Sequence, residues 1–422
     1  MFSFLRVPAL RRRAACGLLW SILFVGLPAC AQAGLGHDDA VALALQRSAL
    51  LQSRGAAVEG ADLAAASASQ LPDPKLSVGL DNLPITSADR YSLTRDFMTQ
   101  RQIGWSQDMP NAAKRLARAE GAAARTAREQ ALLQAERVAV AREASLAWLA
   151  RFYAERRLLA LAALDTQNDL LRSTVNARIA AGKATPADAL MTQQEALALA
   201  DRRGELARDV AKARAALRRW VGDEADTPLT GGPPEHVALA PTRARFDAHP
   251  ELAEYGAMAD LARAEAHEIE ASKQGDWSWA VAYAKRGPAY SDMVSVQLSF
   301  ELPLWGRQRQ DPQIAARRKE VERIDAERED KRRRIVSEVE ALRADATELD
   351  SKIARLQTRA LPLAEERVAL TLASYQAGRS DLASVLAARK EAIETQLRLI
   401  DLSAAEAQVR TLLDSHLVKE QP

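Results

Sequence analysis

Residues 103–115 (IGWSQDMPNAAKR) and 296–308 (VQLSFELPLWGRQ) share one plan: a short alternating stretch, a proline, then a basic residue opening a very long helical run. Pro110 and Pro303 lie 193 residues apart (303 − 110). Further on, 178–190 (RIAAGKATPADAL) aligns with 374–386 (SYQAGRSDLASVL), with Gly182 over Gly378 at a spacing of 196 (378 − 182). Landmarks recurring in order at nearly one spacing indicate an internal duplication. Each half therefore reads helix, strand, strand, very long helix, tight turn, return helix.

The N-terminus carries Arg6, Arg11, Arg12 and Arg13, an apolar run from Leu18 to Leu27, and Ala31-Gln32-Ala33, the form of a cleavage site. This reads as a secretory signal peptide over 1–33. Cleavage after Ala33 removes Cys16 and Cys30, the only cysteines. A competing reading takes Leu27-Pro28-Ala29-Cys30 as a lipobox, with Cys30 lipidated. No later stretch is apolar enough for a membrane-spanning helix, so an exported chain of this kind enters a membrane only as a β-barrel. The 58 basic and 56 acidic residues are spread along the helices. That distribution fits solvated helical faces and argues against a nucleic-acid surface.

The division expected is 34–222 for the first repeat, 223–245 for a connector rich in proline and glycine, and 246–422 for the second repeat. Asp38 or Asp39 is expected to cap a first helix running to about Ser69, ended by Pro72 and Pro74. Lys75–Leu83 and about Phe97–Met109 alternate apolar with polar residues. In the second half Trp277, Trp279, Val281 and Tyr283 alternate with small residues, and Val294, Val296, Leu298, Phe300 and Leu302 with polar ones. One apolar face with aromatics and one polar face fit a transmembrane barrel strand; an ordinary sheet over a soluble core is the alternative. From Asn111 to Ala181 there is no proline and one glycine, Gly121. The counterpart, about Arg307–Ala377, contains Pro312 near its start and Pro362, where a kink is expected. Both runs end in Ala-Gly-basic, and the return helices are expected near Pro186 and Asp381.

Four strands cannot close a barrel, which takes about eight at least, so copies of the chain would have to pool them. Long hairpins with little core of their own would pack side by side into a tube.

The duplicated plan, with the tips AGKATPADAL and AGRSDLASVL, resembles the TolC-type outer-membrane efflux channels over about residues 37–418. The resemblance implies a mainly α fold with a small β part: duplicated long helical hairpins forming an α-barrel, plus four transmembrane strands per chain, giving a 12-stranded barrel in a homotrimer. It implies a place in outer-membrane lipid, extending into the periplasm, and docking to a periplasmic adaptor (membrane fusion) protein and an inner-membrane, proton-driven pump of the resistance-nodulation-division class. Within that family, 72–84 (PDPKLSVGLDNLP) and 92–110 (SLTRDFMTQRQIGWSQDMP) resemble the heavy-metal branch, related to the cobalt-zinc-cadmium and copper-silver systems. On this resemblance Gly182, Lys183, Gly378 and Arg379 form the periplasmic tips that an adaptor meets, turn chemistry being present in any case. Asp188 is the candidate aperture carboxylate, or else a helix-start charge; the corresponding Ser384 and Ala387 lack the second tip's acids. Pro110 and Pro303 mark the barrel-to-helix junctions, and Trp277, Trp279, Tyr283 and Phe300 face the membrane.

No catalytic motif, cofactor site or metal site is expected. His37, His236, His249, His267 and His416 are scattered, lack the i, i+4 spacing of a helical metal pair, and are each expected at the surface. Met98, Met109 and Met293 are expected to serve packing or lipid contact rather than to ligate soft metals. Lys331–Arg334 reads as a solvated helix face. The readings in competition are a passive duct for heavy-metal cations, a duct for drugs or secreted polypeptides, and a periplasmic coiled-coil structural or adaptor protein.

Overall fold

A computed structural model describes residues 34–235 and 246–416. The expected signal peptide with Cys16 and Cys30, and also His236 and Pro241, lie outside the described residues. Helix α1 (His37–Arg47) starts from Gly36, so Asp38 and Asp39 occupy its first turn and do not cap it. Their charge suits the helix N-terminus. The first helix is also not continuous to Ser69. Ser48 is extended, and its hydroxyl accepts the backbone N–H of Leu51 to start α2 (Ala49–Ala68). A serine at an N-cap competes for the backbone in this way, which breaks the run.

Strands β1 (Lys75–Asp81), β2 (Gln100–Met109), β3 (Trp277–Lys285) and β4 (Met293–Phe300) form one antiparallel sheet in chain order. The two halves of the chain meet where β2 pairs β3, with Trp105 opposite Val281 and Gln107 opposite Trp279.

Helix α3 (Ala112–Ala180) runs 69 residues unbroken from the N-cap Asn111, whose side chain accepts the N–H of Lys114 at 2.7 Å. At 1.5 Å per residue it is about 100 Å long. Helix α4 (Pro186–Val221) returns beside it. A 3₁₀ turn (Gly222–Asp226) then opens the segment expected to be a plain connector, and Leu229 bridges to Leu35. In the second half α5 (Pro250–Ala271) precedes β3, and α6 (Gly306–Arg355) passes Pro312 as a helix. A π turn (Leu356–Ala360) then leads into α7 (Leu361–Gln376), and α8 (Leu382–His416) returns. The irregularity expected at Pro362 is thus a widened turn just before it. The proline ring would crowd the carbonyl four residues back, at Thr358, and the wider turn relieves this.

The largest core lies midway along the hairpins, around Trp148, Phe152, Leu217, Val221 and Ala407. Trp148 stacks on Phe152 at 5.1 Å and donates its indole N–H to the Leu35 carbonyl at 3.1 Å. Buried Arg151 donates to the carbonyls of Ala225 (2.6 Å) and Thr227 (2.9 Å) and pairs with Glu155 (2.7 Å), pinning the 3₁₀ turn to α3. Smaller apolar clusters follow along the hairpins, such as Leu161 with Leu199 and Leu206, while α5 and α3 meet their neighbours through alanines and ion pairs: Ala259 and Ala262 of α5 meet Ile324 of α6, and Arg118 of α3 reaches Glu268 of α5 at 2.9 Å.

Candidate functional site: sheet face, junctions and hairpin tips

Registry places Leu76, Val78, Ile103, Trp105, Val281 and Val296 on one face of the sheet, with Trp277 opposite Phe300, Trp279 opposite Leu298 and Tyr283 opposite Val294. Much of this apolar face is exposed, as are Val294, Leu298 and Phe300. The Tyr283 hydroxyl donates to the carboxylate of Asp292. The opposite face carries Ser77, Gly79, Gln102, Gly104, Ser106, Ala280, Ala282, Ser295, Gln297 and Ser299. Such alternation follows from the two-residue period of a strand. Among the described residues, β1 and β4 have no partner on their outer edges. Met98 and Met293 are exposed and Met109 is half-buried.

Pro110 is buried and Pro303 half-buried, each between a strand and a long helix. The first junction is sealed. The Asn111 side-chain amide donates to the carbonyls of Gln274 (2.6 Å) and Ala271 (3.2 Å), and Lys114 pairs with Asp276 at 2.5 Å. At the second junction Glu301 N–H donates to the Asp276 carbonyl at 2.7 Å, which brings that strand end hard against Gly275. A Cβ at Gly275 would lie 1.8 Å from the Glu301 oxygen.

At the far end Gly182 and Gly378 hold φ of +67° and +73°, the left-handed form that glycine adopts at little cost. The 6→1 bond follows in both turns: Lys183 N–H to Arg178 O at 2.8 Å, and Arg379 N–H to Ser374 O at 2.9 Å. Lys183 and Arg379 are exposed beside them. Asp188 completes a capping box. Its carboxylate accepts the Thr185 N–H at 2.8 Å, and its own N–H donates to the Thr185 hydroxyl at 3.3 Å. The second tip carries the same pair reversed: Asp381 sits where Thr185 does, and its carboxylate accepts the Ser384 N–H (2.9 Å) and hydroxyl (2.6 Å). Each tip thus keeps one carboxylate, three residues apart in register. Reading position 384 alone misses Asp381, whereas aligning whole caps finds it.

The tips are tied together by Tyr375, which is buried with Leu171, Val175, Leu382 and Val385 and lies under the Arg178 guanidinium at 4.4 Å. Burial raises the Tyr375 pKa, so the ring stays neutral.

The histidines depart from expectation. His249 and His416 are 2% and 5% exposed and stack against each other, and His37 is packed edge-on to Trp148 with a 2.7 Å bond to the Ser145 hydroxyl. Only His267 is exposed among those described, 3.8 Å from Glu120. Imidazoles at a helix cap and a helix end are drawn into interfaces by hydrogen bonds that spacing does not reveal. No group of three or more metal-ligating side chains occurs among the described residues. Lys331, Arg332, Arg333 and Arg334 are engaged by Glu251, Glu329 and Asp330 on the helix surface.

Residues 247–416 match the family described as outer membrane efflux protein. No curated protein sequence matches the chain. The likeness in fold takes in the first half as well, since solved outer-membrane proteins superpose on 90% of the chain. CusC, whose structures concern folding and transmembrane channel formation, is 16% identical, covered over 91% of its own length, with a TM-score of 0.75. The Campylobacter jejuni outer membrane channel CmeC is 10% identical, covered over 85%, with a TM-score of 0.75. The Vibrio cholerae outer membrane protein VceC is 19% identical, covered over 95%, with a TM-score of 0.68. At these identities the likeness establishes the fold.

Proposed function

We propose that the chain is the outer-membrane duct of a tripartite efflux system, a passive conduit for heavy-metal cations and not an enzyme. The observation that carries the duct is the sheet: one exposed apolar face, one polar face and two unpaired edges, joined to helices about 100 Å long. Hydrocarbon tolerates no open edge, so β4 of one copy pairs with β1 of the next until the ring closes around the polar face. The family resemblance sets the number of copies at three, and the helical hairpins continue the ring as a periplasmic tube.

At the tube's end Gly182, Lys183, Gly378 and Arg379 meet a periplasmic adaptor, which links the duct to an inner-membrane, proton-driven pump. Asp188 and Asp381 give each subunit acidic groups there, favouring cations near the mouth. The metal cargo is supported by the resemblance of 72–84 and 92–110 to the heavy-metal branch. A duct of this kind needs no tight ligand, because strong binding would slow release.

The test is growth inhibition of a deletion strain and of a strain bearing substitutions at both tip glycines, by copper, silver, zinc, cobalt, cadmium and lipophilic drugs. Sensitivity to particular metals in both strains is expected. Drug sensitivity with normal metal tolerance would replace the cargo and keep the duct.

A further inference from the structure

The duplication allows the two strand-to-helix junctions to be compared position by position, and they differ in chemistry. Aligning Pro110 with Pro303 sets Asn111 opposite Leu304 and Lys114 opposite Arg307. In the first junction both polar groups are consumed internally, by the carbonyls of Ala271 and Gln274 and by Asp276. In the second, Leu302, Leu304 and Trp305 are 69%, 72% and 62% exposed. Arg307 is exposed, and neither it nor Arg309 has an ion-pair or hydrogen-bonded side-chain partner among the described residues. Between them lies an open hollow of about 420 Å³, lined by Lys273, Leu304, Trp305, Arg307, Gln308 and Asp311. Lys273 is already neutralised by Asp311 at 2.8 Å, so among the residues that line the hollow the charge left unpaired is that of Arg307.

We infer that this second junction is a collar that seats an anionic phospholipid, its headgroup phosphate at Arg307 in the hollow and its acyl chains along the apolar face of β4. The inference rests on the membrane reading above. Continuity selects a lipid over a soluble anion. Leu302 extends the face of Leu298 and Phe300, Trp277 lies opposite Phe300, and Trp305 follows at the helix start. Aromatic rings with a polar edge settle at the level of headgroups, where one end is apolar and the other wet. Charge selects an anionic lipid over a zwitterionic one, because a basic residue is attracted to an anionic bilayer surface. At the first junction Lys114 is paired and Arg115 is half-buried, so no exposed unpaired cation stands there as Arg307 does at the second. Each subunit therefore holds one collar, and a ring of subunits carries them at intervals where the barrel wall meets the tube.

The measurement is native mass spectrometry of the purified full-length assembly in mild detergent, titrated with dioleoylphosphatidylglycerol, dioleoylphosphatidylcholine and inorganic phosphate. Arg307→Gln is compared with Arg334→Gln, a change on the helix surface away from the junction. Wild type and R334Q are expected to retain phosphatidylglycerol. R307Q should weaken it about fivefold, the equivalent of about 1 kcal/mol, without changing phosphatidylcholine. Trp305→Ser should weaken both lipids. Because Arg307 is exposed and unpaired, R307Q leaves the fold intact, and circular dichroism checks this. Equal phosphatidylglycerol binding by R307Q and R334Q would overturn the collar, as would inorganic phosphate displacing the lipid. Failure of wild type to float with liposomes of the same lipids would overturn the membrane reading itself.

Discussion

His249 Nε2 stands 3.4 Å from His416 Nδ1, and the direction of the bond follows from its surroundings. His249 caps α5 by accepting the Glu251 N–H at its Nδ1 (3.2 Å), so its proton lies on Nε2 and points at His416. His416 in turn presents Nε2 to Glu338 at 3.5 Å. A second proton on His249 has only Nδ1 to occupy, which would remove the cap. Burial accordingly pushes the His249 pKa down to about 4, with Glu251 opposing and His416 and Lys331 adding to the shift.

This relationship gives a pH dependence of known sign. The unfolded chain, with an ordinary histidine pKa near 6.5, binds the proton first as pH falls. Stability from this group is therefore complete above about 6.5, declines between about 6.5 and 4, and is level below, a loss of about 3 kcal/mol. Thermal unfolding at pH 7.5 and 4.5 should show a larger drop for wild type than for His249→Asn, which can still cap the helix but does not titrate. Equal drops would remove His249 from the account.

The tips should respond to their turn chemistry. Replacing Gly182 or Gly378 by alanine forces a side chain into the left-handed region, at about 1 kcal/mol each. Thr185→Ala and Asp381→Ala each remove a cap, costing about 1 kcal/mol. Hydrogen exchange should quicken over the first turns of α4 or α8 and leave the Trp148 core unchanged. Uniform quickening along the hairpin would contradict this localisation.

Glycines at the junction and mid-helix should behave oppositely. Gly275→Ala places a Cβ 1.8 Å from the Glu301 backbone oxygen, so the sheet cannot seat on the helices, and the assembled form should be lost on native electrophoresis. Gly121→Ala meets nothing within 4 Å inside α3 and should stabilise by about 0.5–1 kcal/mol, raising the melting temperature.

Arg151 is fixed by its two carbonyl partners. Arg151→Leu leaves the buried Ala225 carbonyl unpaired, at about 1–3 kcal/mol, and strips the half-buried Thr227 carbonyl of its donor, and Arg151→Lys cannot span both. Chemical denaturation should place both variants below wild type, with limited proteolysis opening the segment after Val221 first.

Long-period signals survived the passage from sequence to structure. The alternation of Trp277–Tyr283, the proline-free run to Ala181 and the two Ala-Gly-basic tips each became the expected element, because strand period and left-handed glycine depend on local chemistry. The misses were hydrogen bonds of single side chains, two local and one distant. Ser48 broke a helix by a hydrogen bond to Leu51. Asp381 hid because cap and third position exchanged roles between the tips. His249 and His416, 167 residues apart, met in a pair that no spacing rule describes.

The π turn at Leu356–Ala360 has a mechanical consequence. Helix α3 is a strut, one α-helix over 69 residues with no proline inside it. Its counterpart in the second half is a strut with a joint, since around Pro362 the ladder is wider and the proline supplies no N–H. Sideways load on the two hairpins is therefore shared unequally: the first stays straight, and bending gathers in the second, a few turns short of its tip.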